Sequence, residues 1–352
     1  MTKKVKQKIK IGISIGDLNG IGAEIIIKSL IDQRICEICT PVIFASKKWC
    51  DYFIKSLNLN DFNFNLTEDL EKLKSNQVNV LAVWTKDAEV KEGEESEISG
   101  SFAYKSLEAA CTALKEKKID ALVTAPINKK AIQSADFNFP GHTEYLQNID
   151  GADDSLMLML SEHTKIGVVS GHIPIKEVAA QLNSELILKK ISLLNKSLKE
   201  DFNIRKPSIA VLGLNPHAGD NGLLGNEEKD IILPAIQQAK SIDVLAFGPY
   251  AADGFFSGSN FKNFDGVLAM YHDQGLIPAK MFSLGEGVNY TAGLSFVRTS
   301  PDHGTAFEIA GKGVANETSF RNAIYSAIDI VKNRQELSEL QEDMLVPNKT
   351  RN

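Results

Sequence analysis

The chain is poor in several things that would assign it to a special class. Four cysteines in 352 residues cannot make a disulfide scaffold, and a chain this long buries a large core without staples. Cys36 and Cys39 form a lone C-x-x-C with Glu37 and Ile38 between them, and no second pair at matching spacing completes a zinc ribbon. All four are expected to be reduced, structural thiols. No apolar run approaches the ~18–20 residues that span a bilayer; the densest is Leu156–Leu160. The start carries Lys3, Lys4, Lys6, Lys8 and Lys10 but no following run of signal-peptide type, so it reads as a solvated tail. Positive charge is not in excess: 39 Lys and Arg against 45 Asp and Glu give a net −6, which argues against a general nucleic-acid binder. No membrane partner and no export signal are expected, which leaves the cytoplasm. Internal repeats and low-complexity linkers are also missing.

What is present is ordinary for a globular enzyme: 43% hydrophobic and 24% charged residues. At roughly 100–200 residues per domain the length suggests two domains. The rhythm is strand, then helix. Strands are expected at Ile9–Ile15, Val42–Ala45, Val78–Val83, Asp120–Thr124, Ser208–Leu214, Val244–Phe247 and Gly266–Met270. Helices are expected at Ala23–Leu30, Ser101–Lys117, Ser184–Leu198 with Ser184 as its cap, about Glu227–Lys240 with a kink at Pro234, and Ser319–Lys332. Leu156–Leu160 and Ile166–Ser170 flank a polar turn and read as an antiparallel hairpin. Lys86–Gly100, rich in Glu and Gly, is the best candidate for an exposed loop. The alternation predicts an α/β fold with helices on both faces of a mixed, mostly parallel sheet.

Polar residues cluster after the strands, where open α/β sheets place ligands. His172, His217, His272 and His303 each follow an apolar run, in Ser-Gly-His, Asn-Pro-His, Tyr-His-Asp and Asp-His-Gly. Three neutral imidazoles that converge suit a borderline-soft divalent metal, zinc or cobalt more than magnesium. Asp273 and Asn215 stand beside two of them as orienting groups. Each histidine taken alone is as readily a hydrogen-bonded loop residue. His142 lies in Pro-Gly-His-Thr-Glu, a turn entering a helix, where His142 and Thr143 could meet an anion or Thr143 could simply cap. Lys280, Asn289 and Arg298 flank the apolar stretch Tyr290–Phe296; Arg298 suits a carboxylate or phosphate and Lys280 adds a point charge. Gly16-Asp-Leu-Asn-Gly-Ile-Gly22 is a weak dinucleotide signature and a better strand-to-helix turn. The glycine loop Gly219–Gly225 precedes Glu227 and Glu228, which would repel phosphate.

These stretches resemble the 4-hydroxythreonine-4-phosphate dehydrogenase family of vitamin B6 biosynthesis. The resemblance runs from about Ile11 to Lys332 through Gly16–Glu24, Thr124–Lys129, Gly141–Leu146, Leu214–Gly219, Met270–Leu276, Gly287–Asn289 and Arg298–Ala306. It implies His172, His217 and His272 as metal ligands, and His142, Thr143, Lys280, Asn289 and Arg298 as contacts to a phosphorylated substrate. It implies two α/β/α domains of isocitrate/isopropylmalate dehydrogenase type, approximately 1–128 with 290–352, and 129–289. It further implies a homodimer whose active site takes residues from both subunits. At the first loop the family reads Gly-Asp-Pro-Ala-Gly-Ile-Gly-Pro-Glu; here Leu18, Asn19 and Ala23 intervene, which is expected to loosen the loop.

The stretch from His303 to Asn316 is similar to the segment that wraps adenosine in isopropylmalate dehydrogenases. By that likeness His303, Gly304, Glu308 and Asn316 are cofactor contacts, and the carboxylate of Glu308 favours NAD over NADP because it would repel a 2′-phosphate. The implied reaction is oxidation of a secondary alcohol β to a carboxylate, with Asp253 and Asp273 as candidate proton acceptors. Competing readings are oxidation of another β-hydroxy acid (a phosphorylated aldonate or a dihydrodiol acid), acyl transfer of the phosphate acetyltransferase kind, and a non-enzymatic metal-binding protein.

Overall fold

The computed structural model describes residues 8–86, 89–134 and 136–342. Twelve strands form one sheet. They are β1 (Ile9–Ser14), β2 (Cys39–Ala45), β3 (Phe64–Thr67), β4 (Val78–Ala82), β5 (Ala121–Thr124), β6 (Leu156–Leu160), β7 (Lys165–Ser170), β8 (Ser208–Leu212), β9 (Leu245–Tyr250), β10 (Gly266–Tyr271), β11 (Val288–Ala292) and β12 (Val297–Pro301). Their order is β3-β4-β2-β1-β5-β12-β11-β6-β7-β10-β8-β9.

Pairing is parallel from β3 to β12 and again from β7 to β9. The three junctions between those blocks, β12–β11, β11–β6 and β6–β7, are antiparallel. An odd number of reversals makes the two parallel blocks run in opposite directions. The expected mixed sheet and the β6–β7 hairpin are therefore both present, and the direction switch falls at the centre.

Strand alternation sends side chains to two differently organised faces. On one face Ile43 of β2 and Leu268 of β10 belong to a single continuous core, closed by the helices Gly22–Leu30, Ser184–Glu200 and Thr318–Glu342. On the other face the core is split. Val42 and Phe44 pack with Leu107 and Leu114 of the helix Glu97–Lys115, whereas Val267 and Ala269 pack with Phe255, Phe261 and Ala279. Each fully buried Ile or Leu contributes roughly 1.5–3 kcal/mol, so the split leaves room for polar groups without starving the fold.

Several local expectations need correction. Asn183, not Ser184, caps the helix Ser184–Glu200, accepting from the Leu186 N–H; Ser184 Oγ donates instead to Ile231 O at 2.7 Å. At Pro234 the expected single helix changes character: a π-helical turn at Glu228–Ile232 runs directly into the α-helix Leu233–Ser241, with Pro234 in the first turn of the latter. The stretch Tyr290–Phe296 is divided between β11 and the turn before β12. Of the basic start, residues 1–7 lie outside the described residues; Lys10 is in β1 and Lys8 donates to Cys36 O at 2.7 Å, so neither is a free tail. Within Lys86–Gly100, residues 87–88 lie outside the described residues and the helix Glu97–Lys115 already begins. The cysteines are all unpaired and buried, and burial pushes the Cys39 thiol up to about 12.

Candidate active site

A cavity of about 290 Å³ opens on the split face, over the strands where direction reverses. Ile127 reaches it from one apolar cluster and Met159 and Leu276 from the other. Strand register sets its floor: Ser300, Asn289 and Met159 are direct neighbours across β12, β11 and β6. The loop after β5 adds Lys129, and the helix His142–Asp150 adds His142, Thr143 and Glu144. His172 comes from the loop after β7; His272 and Lys280 come from the helix His272–Ser283. Of the residues singled out from the sequence, His142, Thr143, His172, His272, Lys280, Asn289, Arg298, His303 and Gly304 line this one cavity.

Its polar groups are arranged for a ligand, not for one another. Arg298 is 3% exposed. Its guanidinium donates to Thr124 Oγ1 at 2.6 and 3.2 Å and to Thr291 Oγ1 at 3.2 Å. Burial brings it down to about 10, with Glu144 pulling the other way, so it stays protonated at neutral pH. Of the seven buried side-chain atoms without a partner among the described residues, three belong to residues lining this cavity: His142 Nε2, Asn289 Oδ1 and His303 Nε2. Buried polar atoms are ordinarily paired, and exceptions concentrated in one cavity mark the place of a bound molecule. Burial first, then the charges of Arg298 and Lys129, push the His142 imidazole well below its usual range.

His172 and His272 lie with ring centroids 5.3 Å apart. His272 Nδ1 is 2.7 Å from Asp273 Oδ1, which fixes the ring and leaves Nε2 outside that bond. Asp273 does not line the cavity, and its carboxylate is engaged with the imidazole. Asp253 lies in the first turn of the helix Ala252–Ser257, also outside the lining. Neither aspartate lines the cavity: Asp273 is on the cavity-lining helix His272–Ser283 but its carboxylate is engaged with His272, and Asp253 is on a helix that contributes nothing to the lining.

His217 is also absent from the lining. Among the described residues no three His, Cys, Asp or Glu side chains of one chain are grouped to hold a metal. His217 opens a left-handed turn: from His217 to Asn221 every φ is positive, between 43° and 82°. Such a run costs roughly 1–2 kcal/mol per non-glycine residue and persists only when its surroundings enforce it. Glu228, buried, supplies the enforcement by accepting from Leu214 N at 2.8 Å, Asn215 N at 2.7 Å and Asn215 Nδ2 at 3.0 Å. The sequence suggested that these carboxylates repel phosphate; their visible work is to shape the turn.

The segment from His303 to Asn316 runs from the cavity along the helix Gly22–Leu30. Glu24 accepts from Ala315 N at 2.8 Å, and Lys28 donates to Gly313 O at 2.9 Å and Ala315 O at 3.0 Å. Asn316 Oδ1 accepts from Thr318 N, so that atom serves the start of the last helix. Sequence reasoning gave no role to Thr124, Lys129 or Glu144; the first two stand in the quoted Thr124–Lys129 stretch, where a Thr and a Lys just after a strand were the available signal.

Comparison with known proteins agrees with this geometry. Residues 37–327 match the family described as "Pyridoxal phosphate biosynthetic protein PdxA". A 4-hydroxythreonine-4-phosphate dehydrogenase of Bacteroides thetaiotaomicron is 46% identical over 331 residues, 94% of this chain and 91% of that protein. A protein of Oceanobacillus iheyensis, named provisionally as a D-threonate 4-phosphate dehydrogenase, is 38% identical over 93% of this chain and 99% of its own. The crystal structure of the 4-hydroxythreonine-4-phosphate dehydrogenase from Klebsiella pneumoniae superposes with TM-score 0.79 at 34% identity, covering 92% of this chain and 99% of that one. An isocitrate dehydrogenase from Methylococcus capsulatus, at 12% identity and TM-score 0.50, shares the fold alone, over 95% of this chain and 89% of its own.

Proposed function

Since this chain belongs to the PdxA family of 4-hydroxythreonine-4-phosphate dehydrogenases, a family of oxidoreductases, we propose that its cavity oxidises 4-phosphohydroxy-L-threonine with NAD. The observation that carries this reading is the buried Arg298, which shares its cavity with three side chains that each carry an unpaired buried atom. The phosphate is met by Arg298, Lys280, His142, Thr143 and Asn289. A guanidinium already held by two threonine hydroxyls needs no reorganisation to receive an anion, and charge-assisted bonds in a dry site are the strong ones. His142 stays neutral beside these cations, so it can donate or accept one hydrogen bond without adding a repelling charge to the protein.

The reaction removes the carbinol hydrogen as hydride to the nicotinamide C4 and the hydroxyl proton to solvent. The product is a β-keto acid, 2-amino-3-oxo-4-phosphonooxybutanoate, which loses CO₂ to give 3-amino-2-oxopropyl phosphate. A bound nicotinamide would supply the hydride acceptor, and the chain's own work would be alignment. His303 and Gly304 lie where the cavity meets the dinucleotide segment, with Glu308 and Asn316 further along it.

His172 and His272 fit a divalent cation. Two imidazoles with centroids 5.3 Å apart can each direct a nitrogen to an ion at ~2.0–2.1 Å, and Asp273 orients the second ring as carboxylates do beside metal-bound histidine. Such an ion, zinc, cobalt or magnesium, would supply Lewis-acid polarisation of the alcohol and then of the ketone. The third imidazole of the set would be His217 supplied by a second copy of the chain. Support for a homodimer comes from the helix that carries His272 and Lys280, whose outer side exposes Ile277 and Met281, with Leu284 just beyond it 86% exposed. The two-domain division near residues 128 and 289 is proposed with it, as is a cytoplasmic location; among the described residues no helix is long and apolar enough to cross a membrane.

The Oceanobacillus relative favours one second reading, D-threonate 4-phosphate as substrate. It differs in a hydroxyl where the first carries an amine, so the phosphate contacts serve both. A coupled assay of NADH and CO₂ with the two substrates, with and without chelator, tests the proposal. No NADH from either substrate would refute it, and a kcat/KM higher for the threonate would move the assignment.

A further inference from the structure

Asn19 of the first loop, one of the positions expected to loosen it, makes three bonds to one distant segment. Asn19 is 1% exposed. Its Oδ1 accepts from Lys91 N at 2.8 Å, its Nδ2 donates to Glu94 O at 2.8 Å, and its own carbonyl accepts from Gly93 N at 2.8 Å. An alanine keeps only the last of these. The loop expected to be loosened by losing two prolines is instead tied down by a side chain.

The tied segment, Lys91–Glu95, touches both halves of the site. Toward the dinucleotide segment, Gly93 packs so closely that a Cβ there would stand 3.0 Å from Phe307 O, and a Cβ on Gly311 would stand 2.8 Å from Glu92 Oε2. Toward the substrate cavity, Glu95 accepts from Asn128 Nδ2 at 2.6 Å, next to the cavity-lining Lys129. The first loop itself reaches the same dinucleotide segment, with Ile21 N donating to Thr305 O at 3.0 Å. Asn19 is held in turn: its N–H donates to Asp17 Oδ1 at 2.9 Å, an oxygen that also accepts from Ser99 Oγ.

We propose that Asn19 is a positioning residue that fixes residues 91–95 as a strap against the 303–316 segment, so that the dinucleotide site is preformed before NAD arrives. This rests on the reading of 303–316 as the dinucleotide segment. Asn19 touches no reactant; it acts by raising the fraction of molecules ready to bind. Its effect belongs on dinucleotide affinity and not on phosphate recognition, whose principal contact, Arg298, is anchored to β5 and β11 through Thr124 and Thr291.

The test uses the full-length chain, NAD as ligand, and the variants Asn19→Ala and Asn19→Asp. Calorimetry of Asn19→Ala should show a Kd for NAD about five- to tenfold weaker, the change expected when the binding-ready arrangement falls to roughly 10–20% of the population. KM for the phosphorylated substrate should move by less than about twofold, which separates lost positioning from general damage. Amide exchange should lose protection at Lys91 while Gly93, bonded to the backbone, keeps more of its own. Asn19→Asp retains the acceptor for Lys91 N but not the donor to Glu94 O, and should fall between the two. No binding of NAD by the unaltered chain would overturn the reading of the segment, and the strap with it. NAD bound equally by the unaltered chain and Asn19→Ala would overturn the strap alone, as would equal weakening of both substrates' KM.

Discussion

Replacing Arg298 by Met should lower activity steeply while leaving the ligand-free protein about as stable as before. The guanidinium is a buried charge whose bonds go to Thr124 and Thr291. Exchanging a buried charge for an apolar side chain of similar volume is often neutral or favourable by ~1–4 kcal/mol. Against this, two threonine hydroxyls lose a partner at roughly 1–3 kcal/mol each. These terms nearly cancel, and at ~2–4 °C per kcal/mol for a large domain the melting temperature should shift by a few degrees at most. Activity has no such compensation. Two charge-assisted bonds to the substrate anion, at ~1.5–3 kcal/mol each, correspond to roughly 10²–10⁴-fold in kcat/KM. Inorganic phosphate separates the two roles directly: at ~100 times its Kd it should stabilise the unaltered chain by about 2.7 kcal/mol, and Arg298→Met by almost nothing. The reasoning is refuted if Arg298→Met melts much lower, if phosphate protects it as well as the original, or if kcat/KM holds.

His142 gives a pH signature. Burial holds its folded pKa well below the usual imidazole value of about 6.5, so the unfolded chain binds the proton more readily; the full contribution is present above about pH 6.5 and drains as pH falls toward the folded value. Melting scans from pH 8 to 5 should show that decline, and His142→Asn should flatten it; an unchanged slope in the variant removes His142 as its source. Glu228→Ala strands the buried N–H groups of Leu214 and Asn215 at ~1–3 kcal/mol each, and should abolish exchange protection at both; retained protection would show that the turn holds itself. Asp273→Asn should weaken zinc retention about 10–100-fold by elemental analysis after dialysis, and unchanged zinc content would contradict its orienting role. Glu308→Gln should raise the NADP-to-NAD ratio of kcat/KM by roughly tenfold if a like charge now excludes the 2′-phosphate; a constant ratio would place the ribose elsewhere.

The strands were legible because Ile9–Ser14 repeats isoleucine at every second position and Gly266–Tyr271 is an unbroken apolar run ending at a polar cluster. Element ends were less so, since the choice between Asn183 and Ser184 as a cap is made by tertiary packing: Ser184 is drawn to Ile231 O. The left-handed turn at His217 was not legible, because only two of the six residues from His217 to Gly222 are glycine and its conformation is imposed by Glu228, eleven positions on. Arg298 read from the sequence as a group for an anion, but not as a buried one; its burial comes from β12 being enclosed by β5 and β11, a non-local fact. Asn19 misled most. Loss of proline suggests a looser loop only if nothing replaces the constraint, and its partners lie 72 and 75 residues away.

The reversal of strand direction also explains why nine residues scattered from His142 to Gly304 meet. In an all-parallel sheet they would have to come from one carboxyl edge. Here the antiparallel β11 and β6 lie between two blocks running opposite ways, so the cavity draws on the loop after β5 from one block and those after β7 and β10 from the other. The middle strands contribute their own side chains, Asn289, Arg298 and Met159, as the floor. Such a site requires polar side chains inside strands, which explains why β11 and β12 look least like strands in the sequence. Thr124, Thr291, Arg298 and Asn289 form the polar interruption of an otherwise apolar layer, and the gap between its two clusters is the cavity proposed for the substrate.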